Sequence, residues 1–378
     1  MTAAPRSQTS RVVFLDLARA TAVLFMIQGH AVHELLDRVY EPNLGFQVWL
    51  FLRGLTSCMF LLLSGFSFSI ASDRYWDEFR RPSRRLFRRL CRLVFFLVLG
   101  YLIQMPMGRF AHLQFANDER WRSFLQVDIL QLVAGSLFLM QGLVIVLARR
   151  RHFAIGCAGV AGLIVLAAPA FWSRPLVGTV PLWLASYLSA ETGSNFPLFP
   201  WGAFMFVGAA LGMAWSRRGA ERGLRHAAAV FAALGAPLLV FGFVAYLLPF
   251  RPLGDIDIWR VGPSIFTTRL GSILILLGGF AFVSQSIQRL PWAIQALSQE
   301  SLLIYVVHVA ILYGSLWTPS LAHSLGRQDL AHTVAWITVL TLSMGALAWV
   351  WNQTKRHRPT LAYTFRFTVA SALIWPLL

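Results

Sequence analysis

RVVFLDLARATAVLFMIQGHAVHE, residues 11–34, is apolar over a length that can cross a membrane. It nevertheless contains the ionisable side chains of Asp16, Arg19, His30 and His33. Such side chains cost a few kcal/mol each in hydrocarbon and therefore face the protein interior, where they usually have a function. Arg19 and His30 lie within about 20° of each other on a helix that turns about 100° per residue. We predict that this face of the first helix carries the chemistry.

The composition indicates a polytopic membrane protein, since 57% of the residues are hydrophobic and only 13% are charged. The formal net charge is +17, but the arginines occur in short clusters between apolar runs. This pattern is typical of cytoplasmic loops and not of a nucleic-acid-binding domain, so we expect no nucleic-acid partner. Cys58, Cys91 and Cys157 lack paired spacing, which predicts neither a disulfide framework nor a zinc site. The polar first ten residues predict no cleavable signal peptide.

Eleven apolar segments each approach the length of about 20 residues that a bilayer requires. They are 12–33, 46–71, 92–107, 124–148, 153–170, 197–215, 226–249, 262–285, 295–317, 329–352 and 361–377. No internal repeat and no long linker interrupts them. The sequence therefore predicts an all-α polytopic membrane protein with about 11 transmembrane helices and a single domain over residues 1–378.

Basic clusters follow the second, fourth, sixth and tenth segments and predict the orientation. They are Arg80, Arg81, Arg84, Arg85, Arg88, Arg89 and Arg92; Arg149, Arg150 and Arg151; Arg217, Arg218, Arg222 and Arg225; and Lys355, Arg356 and Arg358. Because such clusters stay on the cytoplasmic side, the N-terminus is predicted to be cytoplasmic and the C-terminus outside. Residues 1–11 then form a short cytoplasmic tail, 72–91 an Arg-rich cytoplasmic loop and 171–195 an outer loop. PLWLASYL within that outer loop is predicted to be an interfacial helix.

Polar side chains inside the apolar segments fall into two bands when depth is taken as about 1.5 Å per residue. The outer half holds His30, His33, Arg53, Asp128 and Arg269, with Asp128 one turn inside its segment, and His308 lies near mid-membrane. The cytoplasmic band holds Asp16, Arg19, Glu300 and Ser301. Two bands with a histidine between them predict a polar path through the protein.

Structural roles are the alternative for most of these residues. Asp16 with Arg19 also fits an ion pair at a helix start, and His33 fits an interfacial histidine. Asp128 could pair with Arg53 or Arg269 and fix helix packing. The spacing of His30, His33 and Glu34 matches neither HExxH nor HxxEH, so no metal site is predicted.

Two further patterns concern the second segment and the arginine-rich segment after it. Ser64 shares a helix face with Arg53, and the small residues of SGFSFS (64–69) allow a helix or a ligand to approach closely. The arginines of 80–92 recur in pairs and form a basic stripe. The positive-inside orientation of the chain would by itself explain this stripe. The other interpretations are that the stripe binds anionic membrane lipid or the phosphates of a nucleotide-containing donor.

Five motifs in this order resemble the heparan-α-glucosaminide N-acetyltransferase-like membrane acyltransferases. They are LDLARATAVLFMIQGH (15–30), FLLLSGFSFS (60–69), FLQVDILQLVAG (124–135), FPLFPWGAFMFVGAALG (196–212) and SLLIYVVHVAIL (301–312). The last motif is also similar to the broader acyltransferase-3 superfamily. Ala20 stands where the family usually has glycine after the arginine.

The resemblance implies transfer of an acyl group, in the first instance acetyl, from cytoplasmic acyl-CoA to an amine or hydroxyl of a sugar or glycan outside. The expected location is the bacterial inner membrane. Acyl transfer requires a base for the acceptor proton, a role suited to imidazole, and positive charge near the developing oxyanion.

The resulting hypothesis gives each candidate residue a role. His30 is the general base or an acyl carrier, and Asp128 orients it or holds the acceptor. Arg53, Arg269 or His308 stabilises the oxyanion or positions the thioester. Further substrate-binding candidates are Asp16, Arg19, His33 and Ser64, of which the first two shape the donor access. The candidates for the CoA phosphates are Arg84, Arg85, Arg88 and Arg89.

Two other classes of function remain open. A transporter or flippase of a lipid-linked sugar would line its path with the same charged residues, although the odd segment number and the lack of an inverted repeat argue against it. A membrane assembly factor would use them only to hold helices together. Exposed apolar helices also permit a homodimer.

Overall fold

The computed structural model describes residues 12–105, 110–247, 261–287, 289–315 and 318–374. Within these ranges the regular structure is helical, and no strand longer than an isolated bridge occurs. The helices are α1 (Val13–Leu35), α2 (Leu44–Arg74), α3 (Trp76–Arg80), α4 (Arg84–Ile103), α5 (Asp118–Leu125), α6 (Ile129–Val146), α7 (Arg150–Trp172), α8 (Leu182–Leu188), α9 (Leu198–Ala214), α10 (Ala220–Leu247), α11 (Pro263–Val283), α12 (Trp292–Gln299), α13 (Ser301–Tyr313), α14 (Leu321–Leu325), α15 (Leu330–His357) and α16 (Pro359–Ile374). The all-α prediction is confirmed.

Seven of the described helices are long and apolar enough to cross a membrane, namely α2, α6, α7, α9, α10, α11 and α15. The helices α12 and α13 pass the same test only together, as a broken span or a re-entrant loop, and would make an eighth span if they count as one. The predicted segments 12–33, 92–107 and 361–377 are not among them. Charged side chains interrupt α1, α4 begins with arginine pairs, and the last segment ends outside the described residues. The count of eleven and the orientation therefore stay predictions.

The ninth predicted segment, 295–317, is not one straight helix. Its helices α12 and α13 are bent by 73° at Glu300, and residues 316–317 lie outside the described residues. The predicted cytoplasmic loop 72–91 contains α3 and the start of α4. In the outer loop, PLWLASYL does form a helix, α8.

The main core is built around α9, which packs against α2 and α7. A Cβ atom at Gly65 of α2 would overlap the Met205 carbonyl oxygen, and one at Gly208 would overlap the Leu62 carbonyl oxygen. The backbones therefore touch only because both positions lack a side chain. The small-residue motif of the second segment serves helix packing at Gly65.

Helix α1 lies between two apolar clusters and is the element that brings the polar residues together. Phe14, Ala18 and Ala22 belong to the main core. Val23, Ile27 and Ala31 pack into a second cluster with residues of α13 and α15. Because α1 packs against protein on two faces, its side chains Asp16, Arg19 and His30 contact other helices, whereas His33 is exposed.

All four basic clusters lie at one end of the bundle. Asp73, at the end of α2, pairs with Arg150 (Nε–Oδ1 2.6 Å) and accepts a hydrogen bond from Ser216 (2.8 Å). Lys355 reaches Glu300 beside the start of α1. This common end is what the orientation prediction requires, since the loops between successive spans alternate between the two sides.

Candidate active site

The closest contact between candidate residues joins two histidines. His30 on α1 and His308 on α13 lie with Nδ1 and Nε2 2.8 Å apart. Their rings are nearly parallel, at 11°, with centroids 5.1 Å apart. His308 is buried and His30 half-buried. The tertiary structure thus gives each histidine a partner that lies far away in the sequence.

Two tyrosines and a backbone carbonyl enclose the histidine pair. His308 Nδ1 lies 2.6 Å from the Ile304 carbonyl oxygen. Tyr313 stands edge-on to His30 at 5.8 Å, and Tyr305 edge-on to His308 at 6.0 Å between ring centroids. Neither tyrosine is among the site residues that the sequence predicts. The available signal was the spacing of Tyr305 three residues before His308, which puts both on one helix face.

Arg53 lies next to the outer end of α1. Its Nη1 is 3.3 Å from His33 Nδ1, and its guanidinium lies 5.6 Å from the centre of the Trp49 ring. A Cβ atom at Gly29 would lie 3.1 Å from the Arg53 Cγ, so glycine at this position leaves room for the arginine stem beside His30. His30, His33 and Arg53 therefore come together as the sequence predicted.

Arg269 on α11 also approaches α2, at Gly54, the residue after Arg53. Its Nη2 lies 3.6 Å from the Cβ position of Gly54, and its guanidinium lies 5.2 Å from the Trp201 ring centre. Its Nε is buried without a hydrogen-bond partner, and within the described ranges no carboxylate lies at ion-pair distance from Arg269. An arginine held this way can serve a carbonyl or anionic group of a substrate.

Asp128 is the N-cap residue of α6, whereas the sequence predicts it one turn inside the fourth apolar segment. Its Oδ1 accepts the backbone N–H of Ile129 at 2.7 Å. In the described part of the chain it pairs with neither Arg53 nor Arg269, so the packing ion pair is wrong. The reason is that the chain turns at residues 126–128, between α5 and α6, and the carboxylate satisfies the start of the helix.

A second polar network lies at the end of the bundle that carries the basic clusters. Arg19 contacts Asp16 (3.4 Å) and donates to Ser67 of α2 (2.8 Å). Ser298 of α12 donates to Asp16 at 2.7 Å. The predicted ion pair exists, and it also ties α1 to α2 and to α12 just before the helix break.

Glu300 stabilises the break itself. Its side chain is buried and pairs with Lys355, and Asn352 donates to Glu300 Oε1 at 3.0 Å. Ser301, the other residue predicted for this band, begins α13. Because α13 starts anew at this point, the pair connects the break to the end of α15.

The four arginines proposed for the CoA phosphates have different environments. Arg84 and Arg88 are exposed. Arg85 pairs with Glu78 at 2.7 Å, and its hydrogen bond to Tyr75 lowers the pKa of that hydroxyl. Arg89 points inward and donates hydrogen bonds to Ser72 and Gln141.

Ser64 does not reach the histidine pair through any hydrogen bond in the described structure. Its Oγ donates to the Phe60 carbonyl of its own helix at 2.7 Å. Across the described residues, no three His, Cys, Asp or Glu side chains converge as metal ligands would.

An apolar helical bundle with a partly buried histidine pair beside Arg53 defines an integral membrane protein with a polar site suited to acid–base chemistry. Residues 11–248 match the family described as heparan-alpha-glucosaminide N-acetyltransferase, catalytic. This match covers more than half of the chain, which therefore belongs to that family. Comparison with curated proteins and with solved structures gave no match.

Family membership confirms the resemblance and makes this chain a membrane protein of an acetyltransferase family, whose members in general use acetyl-CoA. His30, Arg53 and Asp128 lie within the matched range. Arg269 and His308 lie beyond it, so only the three-dimensional structure joins them to the site.

Proposed function

We propose that this protein transfers an acetyl group from cytoplasmic acetyl-CoA to an amine or hydroxyl of a sugar or glycan on the other side of the membrane. The observation that carries the proposal is the contact of His30 with His308 beside Arg53, in a chain of this family. A half-buried imidazole next to fixed positive charge supplies the two things that acyl transfer requires.

The chemistry uses His30 as general base. It takes the proton of the acceptor amine or hydroxyl as that atom attacks the thioester carbonyl. Arg53 or Arg269 stabilises the resulting oxyanion. Collapse of the tetrahedral intermediate breaks the C–S bond, and the CoA thiolate receives the proton from His30. In a two-step variant His30 itself carries the acetyl group.

The donor approaches from the end that carries the basic clusters. Exposed Arg84 and Arg88 can meet the CoA phosphates there. Arg19 and His30 are eleven residues apart on α1, about 16 Å at 1.5 Å per residue, so the thioester must reach across that distance. Asp16 and Arg19 then shape the access, and Asp128 holds the acceptor at the other end.

The remaining parts of the proposal concern the whole chain. Residues 1–378 form one transmembrane domain with a cytoplasmic N-terminus and an outer C-terminus, in a bacterial inner membrane. Anionic lipid at the arginine stripe and a homodimer through exposed apolar helices belong to the same proposal.

The test is CoA release by purified wild type, His30→Ala and His323→Ala, with acetyl-CoA and a panel of amino sugars and glycans. We expect sugar-dependent turnover that falls by about 10²–10⁴ in His30→Ala, the usual contribution of a positioned base. His323 is an exposed histidine on α14, so its variant should behave as wild type. Undiminished turnover in a folded His30→Ala protein would rule out the base.

A flippase for a lipid-linked sugar is the second candidate, because broken helices such as α12–α13 are typical of transporters. The two candidates differ in their donor. Acetyl-CoA should raise the melting temperature of an acetyltransferase, since a ligand that binds only the folded state stabilises it. If acetyl-CoA neither stabilises the protein nor releases CoA, the donor assignment is wrong and the flippase is favoured.

A further inference from the structure

We propose that His308 is a positioning residue that fixes the tautomer of His30, so that Nε2 of His30 is the basic atom. This inference rests on the proposed function, because it assigns the proton-accepting atom of that same site. It follows from the hydrogen bonds that begin at the Ile304 carbonyl.

The tautomer of His308 follows from its contact with the Ile304 carbonyl. A backbone carbonyl oxygen only accepts hydrogen bonds, so the 2.6 Å contact with Ile304 requires a hydrogen on His308 Nδ1. A neutral imidazole carries one N–H. His308 Nε2 therefore presents a lone pair.

The tautomer of His30 follows from that of His308. Nδ1 of His30 lies 2.8 Å from His308 Nε2. Because the histidine nitrogen at position 308 presents a lone pair, Nδ1 of His30 must carry the hydrogen and donate it. Nε2 of His30 is then left with a free lone pair. In the described structure this nitrogen has no hydrogen-bond partner from the protein, so it can meet an acceptor proton.

Ring geometry supports a bond of this kind. The two nitrogens are 2.8 Å apart and the ring centroids are 5.1 Å apart. Both nitrogens therefore lie close to the line that joins the two centroids. With planes only 11° apart, the rings lie side by side and not face to face. An N–H in the plane of His30 thus points at an in-plane lone pair of His308, the favourable direction for a hydrogen bond.

The chain of hydrogen bonds ends on a neutral carbonyl and not on a carboxylate. When Nε2 of His30 accepts a proton, its Nδ1–H continues to donate to His308, and His308 stays neutral. His308 therefore holds the ring in place and stabilises the imidazolium without taking up the proton, the role that an orienting group plays in hydrolase triads.

Histidine tautomers can be read directly by NMR of ¹⁵N-histidine-labelled protein, since protonated and unprotonated ring nitrogens differ in chemical shift. The His30 signals are assigned by their loss in His30→Ala. In ligand-free wild type we expect a proton on Nδ1 and none on Nε2. A proton on Nε2 of His30 would overturn the proposal, whatever the activity.

Two variants of His308 complete the test. His308→Gln keeps a hydrogen-bond acceptor near the Nε2 position, whereas His308→Leu removes it. We expect His308→Gln to keep the tautomer and most of the turnover. In His308→Leu the Nε2–H form should appear, and kcat should fall by about 10²-fold, the low end of a base's contribution, with KM for acetyl-CoA unchanged. Unchanged tautomer and kcat in folded His308→Leu would overturn the proposal.

The spectra need no substrate, which separates this inference from the proposed function. If His30 has the expected tautomer but the protein releases no CoA with any acceptor, the result would contradict both the transferase function and the role of His308 in the reaction. The wrong tautomer in an active transferase would contradict only the role of His308.

Discussion

Arg89 and Arg88 are neighbours in sequence with opposite environments. Arg89 donates to Ser72 and Gln141, both at 2.9 Å, and its guanidinium lies 3.3 Å from the Phe79 ring centre. Arg88 is exposed. Both arginines fit the basic stripe, yet the inward one fastens α4 to α2 and α6. Of the two, Arg88 is the better candidate for a phosphate.

We predict that Arg89→Ala destabilises the folded protein by about 1–3 kcal/mol, the range for lost hydrogen bonds to a charged group. Arg88→Ala is the matched control and should melt as wild type in the absence of ligand. Thermal unfolding in detergent measures both. Equal melting temperatures for the two variants would contradict the structural role of Arg89.

At the scale of elements, α2 and α9 cross in direct backbone contact. Gly65 of α2 and Gly208 of α9 each lie against a carbonyl of the other helix. This contact holds α2, which carries Arg53 and Gly54 at the site, in a fixed position relative to Trp201 and Arg269. Its integrity therefore bears on the active site as well as on stability.

We predict that Gly208→Ala destabilises the protein by about 1–3 kcal/mol, because the added methyl group overpacks the crossing. Gly345→Ala on α15 is the control, since a Cβ there meets no atom within 4 Å. Alanine also has the better helix propensity, so Gly345→Ala should be neutral or stabilising. Equal unfolding midpoints would show that α2 and α9 are not packed this closely.

At the scale of the whole molecule, the basic clusters share one end of the bundle, and α1 runs from that end to the histidine pair. The arrangement separates the proposed donor site from the proposed base, His30, along α1. It can serve a cytoplasmic donor only if the end with the basic clusters faces the cytoplasm, as the positive-inside rule predicts.

Cysteine labelling tests this orientation. In a background without Cys58, Cys91 and Cys157, we predict that Thr179→Cys, in the loop between α7 and α8, reacts with an impermeant maleimide in intact cells. Arg356→Cys, at the clustered end of α15, should react only in inside-out vesicles. Both positions are exposed, so access depends on the side of the membrane. The reverse pattern would invert the topology and place the arginines outside.

The sequence by itself determined the helical membrane class, the family and most of the polar residues that meet. Apolar length gave the spans of α2, α6 and α7 because the bilayer fixes that length. Helical periodicity aligned Arg19 with His30 on one face of α1. Such features are local, so one stretch of chain contains the whole signal.

Only the tertiary structure decided which side chains pair with each other. The bond between His30 and His308, the inward turn of Arg89 and the capping role of Asp128 depend on helices distant in sequence or on the exact start of a helix. The break at Glu300 is stabilised by Lys355 and Asn352 of another helix, which hydropathy cannot report. Hydrogen bonds are directional over about 3 Å, so their partners follow from packing and not from pattern.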